Sequence, residues 1–391
     1  MFNKIIKRFS STNNINKIIG NDLKKLKSTP VIAPITLSTT YKINDLQSVS
    51  DMEFTYSRAN NPTRKLLEDN LAILENGKYG LAYSSGSAAL TCLSHLLQEH
   101  EEILTCHDLY GGSKRYFNNV LKNKVNYINF SEYTLDNIAT MFESRTLSKI
   151  KIVFIETPTN PLLDIIPFKK LGNLCKMYNK LLVVDNTFLS PIFQNPLDNN
   201  ADIVLHSCSK YLGGHSDIIM GSLIMNDKKL YEKLKYLQNS IGAIPSPFDC
   251  FMLNRSLKTL DLRMKKHQNN AIYISKKLVE HKNIFKVLYP GLNKDKIPCH
   301  MKGYGGILSF YIKGTNYDYN KFIHNLKNIP LAESLGGVET LINNPKTMTH
   351  ASLDTEELRE LNITHNFFRL SVGIEDKHFI WNDLKQALDS I

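Results

Sequence analysis

The chain has 391 residues, of which 42% are apolar, and carries 48 basic against 37 acidic side chains for a formal net charge of +11. That length exceeds what one hydrophobic core normally organises, so two packed units are expected. The longest apolar runs, such as Ile150 to Ile155 and Leu181 to Val184, are strand-sized, which excludes a lipid-embedded protein.

Residues 1 to 60 alternate Asn, Lys and Ser with short apolar patches and read as an arm rather than a domain. Met1 to Phe9 sets Phe2, Ile5, Ile6 and Phe9 on one helical face beside Lys4, Lys7 and Arg8, as in a mitochondrial transit peptide. The stretch Ile19 to Asp22, however, reads as the start of the arm, so a cytoplasmic location is expected, with mitochondrion the alternative.

From Asn61 the pattern becomes regular. A helix over Thr63 to Leu74, a turn at Gly77 and a helix after Ser85 precede strands at Glu102 to Cys106, Asn126 to Phe130, Ile150 to Ile155 and Leu181 to Asp185, and a further strand runs through His206 into Ser207. Strands alternating with helices imply a mainly parallel sheet sandwiched by helices, with ligands beyond the carboxyl ends of the strands. The run Phe248 to Ser275 is a long helical candidate that leaves this unit. After Tyr289-Pro290-Gly291, strands at Gly306 to Ile312 and Asn366 to Val372, with helices near Tyr319 to Leu326 and Phe379 to Leu388, form a smaller α+β cap. The expected division is an arm over 1–60, a large domain over 61–250, and a C-terminal domain with its connecting helix over 251–391.

The basic residues occur as scattered pairs such as Lys169-Lys170 and Lys265-Lys266 rather than a stripe with interleaved aromatics, which argues against a nucleic-acid partner and for attraction of small anions. The six cysteines form no CxxC pair and read as reduced thiols. His95, His100 and His107 lack an i, i+4 pair or cysteine partners, so no metal site is expected.

Two strand ends and one helix start carry the chemistry. An Asp after an apolar strand is commonly a turn former, and a single lysine commonly a surface charge. Asp185 and Lys210, however, stand at the ends of neighbouring strand candidates, and Ser84-Ser85-Gly86-Ser87-Ala88 opens a helix with small residues that let backbone amides approach a phosphate. A carboxylate that keeps a pyridinium protonated, a lysine that forms an imine and a phosphate seat together suggest pyridoxal 5'-phosphate.

Thr55-Tyr56-Ser57-Arg58 with Asn61-Pro62-Thr63-Arg64, Asp108-Leu109-Tyr110-Gly111-Gly112, Glu156-Thr157-Pro158-Thr159-Asn160-Pro161, Asp185-Asn186-Thr187, Ser207-Cys208-Ser209-Lys210-Tyr211 and Arg369-Leu370-Ser371-Val372-Gly373 follow one another in an order that resembles the Cys/Met metabolism family of pyridoxal-phosphate enzymes, the trans-sulfuration enzymes. The resemblance runs from about Pro30 to the C-terminus. It implies the α/β fold type I of PLP-dependent transferases and a homotetramer built from dimers with shared active sites.

By the same resemblance, Lys210 is the imine-forming and proton-shuttling lysine and Asp185 the pyridinium partner beside Thr187. Gly86, Ser87, Ser207 and Ser209 seat the phosphate, and Tyr56 and Arg58 reach the neighbouring subunit's phosphate. Tyr110 stacks on the ring and can protonate a departing sulfur, while Arg369 forks the substrate carboxylate with Asn160 and Ser334 nearby. Arg115 and Glu333 fall where the family reads the far end of the substrate.

The segment Leu331 to Glu339, with Gln238-Asn239-Ser240 and Pro245-Ser246-Pro247, resembles the branch that cleaves L-cystathionine to cysteine, 2-oxobutyrate and ammonia. A β-lyase or a γ-synthase course is the alternative within the family, and a noncatalytic binding protein the alternative of another class. Two departures stand out: Thr55 occupies the place of a glutamate in many γ-lyases, and the stretch between Gly291 and Gly305 is short.

Overall fold

The fold is that of a computed structural model, which describes residues 14–17 and 30–391 apart from 44, 123, 131, 145–147, 294, 296 and 352. The amphipathic segment Met1 to Phe9 and the stretch Ile19 to Asp22 lie outside the described residues.

Seven strands form the larger sheet in the order β1-β7-β6-β5-β4-β2-β3. They are β1 (Tyr79–Tyr83), β2 (Glu102–Cys106), β3 (Val125–Ile128), β4 (Ile150–Glu156), β5 (Leu181–Asp185), β6 (Ile203–Ser207) and β7 (Gly221–Met225). Strands β2 to β6 pair in parallel; β7 runs antiparallel to β6 and to β1. Val183, Val184, Ile203 and Val204 are fully buried, as an apolar run covered by helices on both faces requires. Strands β1 and β7 escape the sequence reading, because five residues opening on Tyr-Gly or Gly-Ser carry little periodic signal.

The smaller sheet is antiparallel, in the order β10-β11-β9-β8, from β8 (Ile284–Leu288), β9 (Ile307–Ile312), β10 (Leu341–Asn343) and β11 (Phe367–Ser371). Phe310, Phe322 and Phe368 pack with one another in its core. A third cluster, including Leu67, Tyr211, Leu253, Met264 and Ile307, joins the two sheets.

The expected single helix Phe248 to Ser275 is two helices, Pro247–Leu257 and Leu260–Val279. The Ser256 carbonyl, which would accept from Leu260 in an unbroken helix, instead accepts from the Thr259 amide and hydroxyl and from the Arg263 guanidinium at 2.9 Å. Arg263 also donates to the carbonyls of Tyr211 (2.6 Å) and Leu212 (3.3 Å). The break therefore ties the second helix to the loop that follows Lys210.

The arm is anchored through the helix Pro62–Leu74. Asn61 caps that helix by accepting from the Thr63 and Arg64 amides, with Pro62 at its first position. Buried Arg64 then donates back to the carbonyls of Ser57 (2.8 Å) and Arg58 (3.1 Å).

Candidate active site

Glu156, Asp185 and Ser207 end three adjacent parallel strands, and Glu156 pairs in register with Asp185. Tyr83 and Ser207 both lie opposite Gly221 of β7, one on each side. The end of β1 and the helix it feeds, Gly86–Ser94, are thereby brought to the same edge. Ser85 caps this helix by accepting from the Ala88 amide at 2.9 Å. The first amides of a helix have no intrahelical acceptor, so those of Gly86 and Ser87 are free for an anion. Two glycines permit this seat: a Cβ on Gly221 would fall 2.3 Å from the Ser85 carbonyl oxygen, and one on Gly86 would fall 3.2 Å from Ser207 Cβ.

Asp185 accepts from the Thr187 amide (2.9 Å) and hydroxyl (2.5 Å), and the same hydroxyl accepts from the Ser207 amide at 2.9 Å. Thr187 thus fixes the carboxylate and ties it to the neighbouring strand end. Burial pushes the Asp185 carboxyl above the ordinary range, which the Thr187 bonds and the charge of His206 partly offset. A carboxylate in this state gains from a cationic partner.

Lys210 follows β6 and donates from Nζ to Ser334 Oγ at 2.8 Å. Burial, and then the nearby Arg369 guanidinium, lower its amine from 10.5 to about 8, against an opposing pull from Glu333. Ser334 sits at φ +81° in the loop that brings it there, a backbone region that residues with a Cβ occupy at some cost. The turn is held by the Gly336 amide, which donates to Ser371 Oγ at 2.8 Å.

Arg369 projects from β11, 2% exposed, and donates to Asn160 Oδ1 and to the Ser334 carbonyl, both at 2.9 Å. Its Nε is buried without a partner. Asn160 is held in turn by His350, whose Nε2 lies 3.2 Å from the Asn160 carbonyl oxygen. The guanidinium is therefore preset, with donor capacity to spare for a carboxylate.

Gly86, Ser87, Tyr110, Asn160, Asp185, Thr187, Ser207, Ser209, Lys210, Glu333, Ser334 and Arg369 all line one cavity of about 420 Å³. Within it, the Ser209 hydroxyl is bonded to the Met220 backbone, accepting from its amide at 3.0 Å. Tyr110 is 42% exposed, with its ring over Gly112. Sequence reading missed Glu156 and Gly221; their only signals are a carboxylate ending a buried strand and a glycine where backbone must approach backbone. A larger cavity of about 700 Å³, lined by His107, Asp108, Tyr127 and Asp164 among others, contains none of Lys210, Asp185 and Arg369.

Tyr56, Arg58 and Arg115 do not line the cavity of their own chain. Tyr56 is 48% exposed with the Arg58 guanidinium 5.4 Å from its ring centre, and Arg115 is exposed on the short helix after Tyr110. Among the described residues there is no cluster of metal-ligating side chains, and no helix is long and apolar enough to cross a membrane.

The donor set suits pyridoxal phosphate: a helix start with small residues for the phosphate, a half-buried carboxylate for the ring nitrogen, and an amine in the same cavity. Comparison with known proteins agrees. The chain is 48% identical over 368 residues to a cystathionine gamma-lyase of Dictyostelium discoideum, covering 92% of this chain and 93% of that protein. It is 41% identical over 378 residues to the human cystathionine gamma-lyase, covering 95% and 91%.

Among solved structures, cystathionine gamma-lyase from Lactobacillus plantarum complexed with L-serine superposes with a TM-score of 0.89 at 35% identity, over 97% of this chain and 99% of that one. Cystathionine gamma synthase from Xanthomonas oryzae pv. oryzae in complex with cystathionine gives 0.90 at 36%, over 97% of each chain. With the family model matching residues 12–389, the chain belongs to the Cys/Met metabolism PLP-dependent enzymes, and pyridoxal 5'-phosphate is its cofactor.

Proposed function

We propose that this protein is a carbon–sulfur lyase of trans-sulfuration that cleaves L-cystathionine, with water, to cysteine, 2-oxobutyrate and ammonia. The observation that carries the chemistry is the convergence of Lys210, Asp185 and Arg369 on one cavity. The identities of 40–48% to curated gamma-lyases favour this course over synthesis.

When bound, pyridoxal phosphate supplies an electron sink conjugated to the substrate's α-carbon. The amides of Gly86 and Ser87 would hold its phosphate, and Asp185, fixed by Thr187, its ring nitrogen. Arg369 would orient the substrate carboxylate with the help of Asn160 and Ser334. Lys210, whose amine is lowered to about 8, is neutral often enough near pH 7 to remove the proton at Cα, and Ser334 Oγ holds its nitrogen in place. Tyr110 stands at the mouth, where its phenol can pass a proton to the departing sulfur of cysteine.

The outward placement of Tyr56 and Arg58 supports a shared site, in which each subunit completes its neighbour's phosphate seat within a homotetramer of dimers. Arg115 would act at the far end of the substrate with Glu333. The division into an arm, a large domain over 61–250 and a C-terminal domain over 251–391 is proposed with it. Six unpaired cysteines, five of them buried, are in keeping with a reducing, cytoplasmic setting.

Incubation with cystathionine tests the assignment. Release of 2-oxobutyrate is expected. Pyruvate instead would assign a β-lyase, and an intact substrate together with consumption of cysteine and an activated homoserine ester would assign a synthase.

A further inference from the structure

The carboxyl end of β4 places a second acid in the active-site cavity. Glu156 is 6% exposed, lines the cavity, and pairs in register with Asp185 of β5. Two carboxyl groups thus end adjacent parallel strands at the same cavity, Glu156 buried and Asp185 half-buried. Their surroundings differ. Asp185 has both donors of Thr187 and the charge of His206 to support an ionised state. Glu156 accepts from the Tyr110 amide at 3.1 Å and faces the Asn160 amide, while the titratable groups around it are Asp185, Asp108 and the Cys106 thiol.

None of these three is a cation, and the cations of the same cavity, Lys210 and Arg369, are bonded to Ser334 and Asn160 rather than to Glu156. Burial first, and then the charge of Asp185, raise the Glu156 carboxyl well above the ordinary range. Two neighbouring carboxyl groups that repel one another in this way share one charge, and it stays on Asp185, which has the Thr187 hydroxyl and the charge of His206 on its side.

We propose that Glu156 is a positioning residue: it carries the proton of the Glu156–Asp185 pair, leaving Asp185 as the ionised acid, and its oxygen anchors the Tyr110 backbone and hence the Tyr110 ring at the cavity. This rests on the reading of Asp185 as the partner of the cofactor's ring nitrogen. The same carboxyl touches the loops of Tyr110 and Asn160 and the strand beside Asp185. One uncharged group therefore sets three others.

Infrared spectra of the cofactor-free protein at pH 7 provide the first readout. The difference between wild type and Glu156→Gln should contain the C=O stretch of a protonated carboxylic acid, and that between wild type and Asp185→Asn the bands of a carboxylate. The reverse assignment overturns the proposal.

Kinetics and cofactor affinity provide the second. Glu156→Ala leaves buried amides without an acceptor and should lower kcat about tenfold or more. Glu156→Gln, an uncharged acceptor of the same shape, should recover most of that loss and bind pyridoxal phosphate within about threefold of wild type. Failure of the glutamine variant to rescue, or a loss of cofactor affinity comparable with that of Asp185→Ala, overturns the proposal. If Asp185→Ala itself keeps full affinity and an unshifted absorption spectrum, the reading of Asp185 fails instead. Should the alanine variant not fold, the infrared spectra and the glutamine variant still decide.

Discussion

Lys210 and Arg369 show how burial converts ordinary basic side chains into reagents. The folded-state value of Lys210, about 8, lies below the ordinary 10.5, so the folded protein resists the charged amine. That penalty, roughly 3 kcal/mol by linkage, is fully present below about pH 8 and fades as pH rises towards 10.5. Lys210→Met should therefore abolish turnover and yet stabilise the cofactor-free protein by about 1–3 kcal/mol at pH 7, measured by urea denaturation, with the gain vanishing near pH 10. In the wild type, kcat should rise with pH through about 8 as the amine loses its proton. Arg369 already spends two nitrogens on Asn160 and Ser334. Arg369→Lys keeps the charge but loses the fork, and should raise KM about tenfold to a hundredfold with the melting temperature little changed.

At the level of elements, the site depends on backbone approaching backbone. A Cβ on Gly111 would lie 2.2 Å from the Thr349 carbonyl oxygen, a main-chain atom that cannot swing away. The turn that presents Tyr110 is thereby locked against the loop of Thr349 and His350, and His350 also holds Asn160. Gly111→Ala should separate the two and lower kcat/KM by an order of magnitude or more, about 1.4 kcal/mol at least, while secondary structure by circular dichroism persists. The helix Pro62–Leu74, with its periodic apolar face, and the strands Glu102–Cys106 and Leu181–Asp185, with their apolar runs, are legible in the sequence almost to the residue. Elements whose form depends on a distant partner are not. At the break at Lys258 and Thr259, Arg263 takes the Ser256 carbonyl and also reaches those of Tyr211 and Leu212, contacts that no local pattern encodes.

For the whole molecule, Tyr56 and Arg58 are expected site residues that lie outside the cavity of their own chain. Arg64 holds the carbonyls of Ser57 and Arg58, while the Tyr56 and Arg58 side chains stay exposed and outside their own chain's cavity. If they complete a neighbour's site, Lys210→Ala and Arg58→Ala proteins, each inactive alone, should complement when unfolded together and reassembled. Random pairing of the two would restore about a quarter of the sites, because one of the two sites in each mixed dimer is intact. No recovery on mixing would refute the shared site.

The sequence by itself determined the alternation of strands and helices, the strand that ends on Asp185 and the one that precedes Lys210, and the small residues that open the helix at Gly86. These are local matters of periodicity, capping and side-chain size. Only the tertiary structure decided the order of strands, which brings Ser207 and Tyr83 to either side of Gly221. It alone juxtaposed Lys210 with Ser334 and Arg369 with Asn160, and left Arg115 facing outward. Those contacts join residues far apart in the chain, and they are fixed by the packing of the two sheet units through the helices between them, which no window of sequence contains.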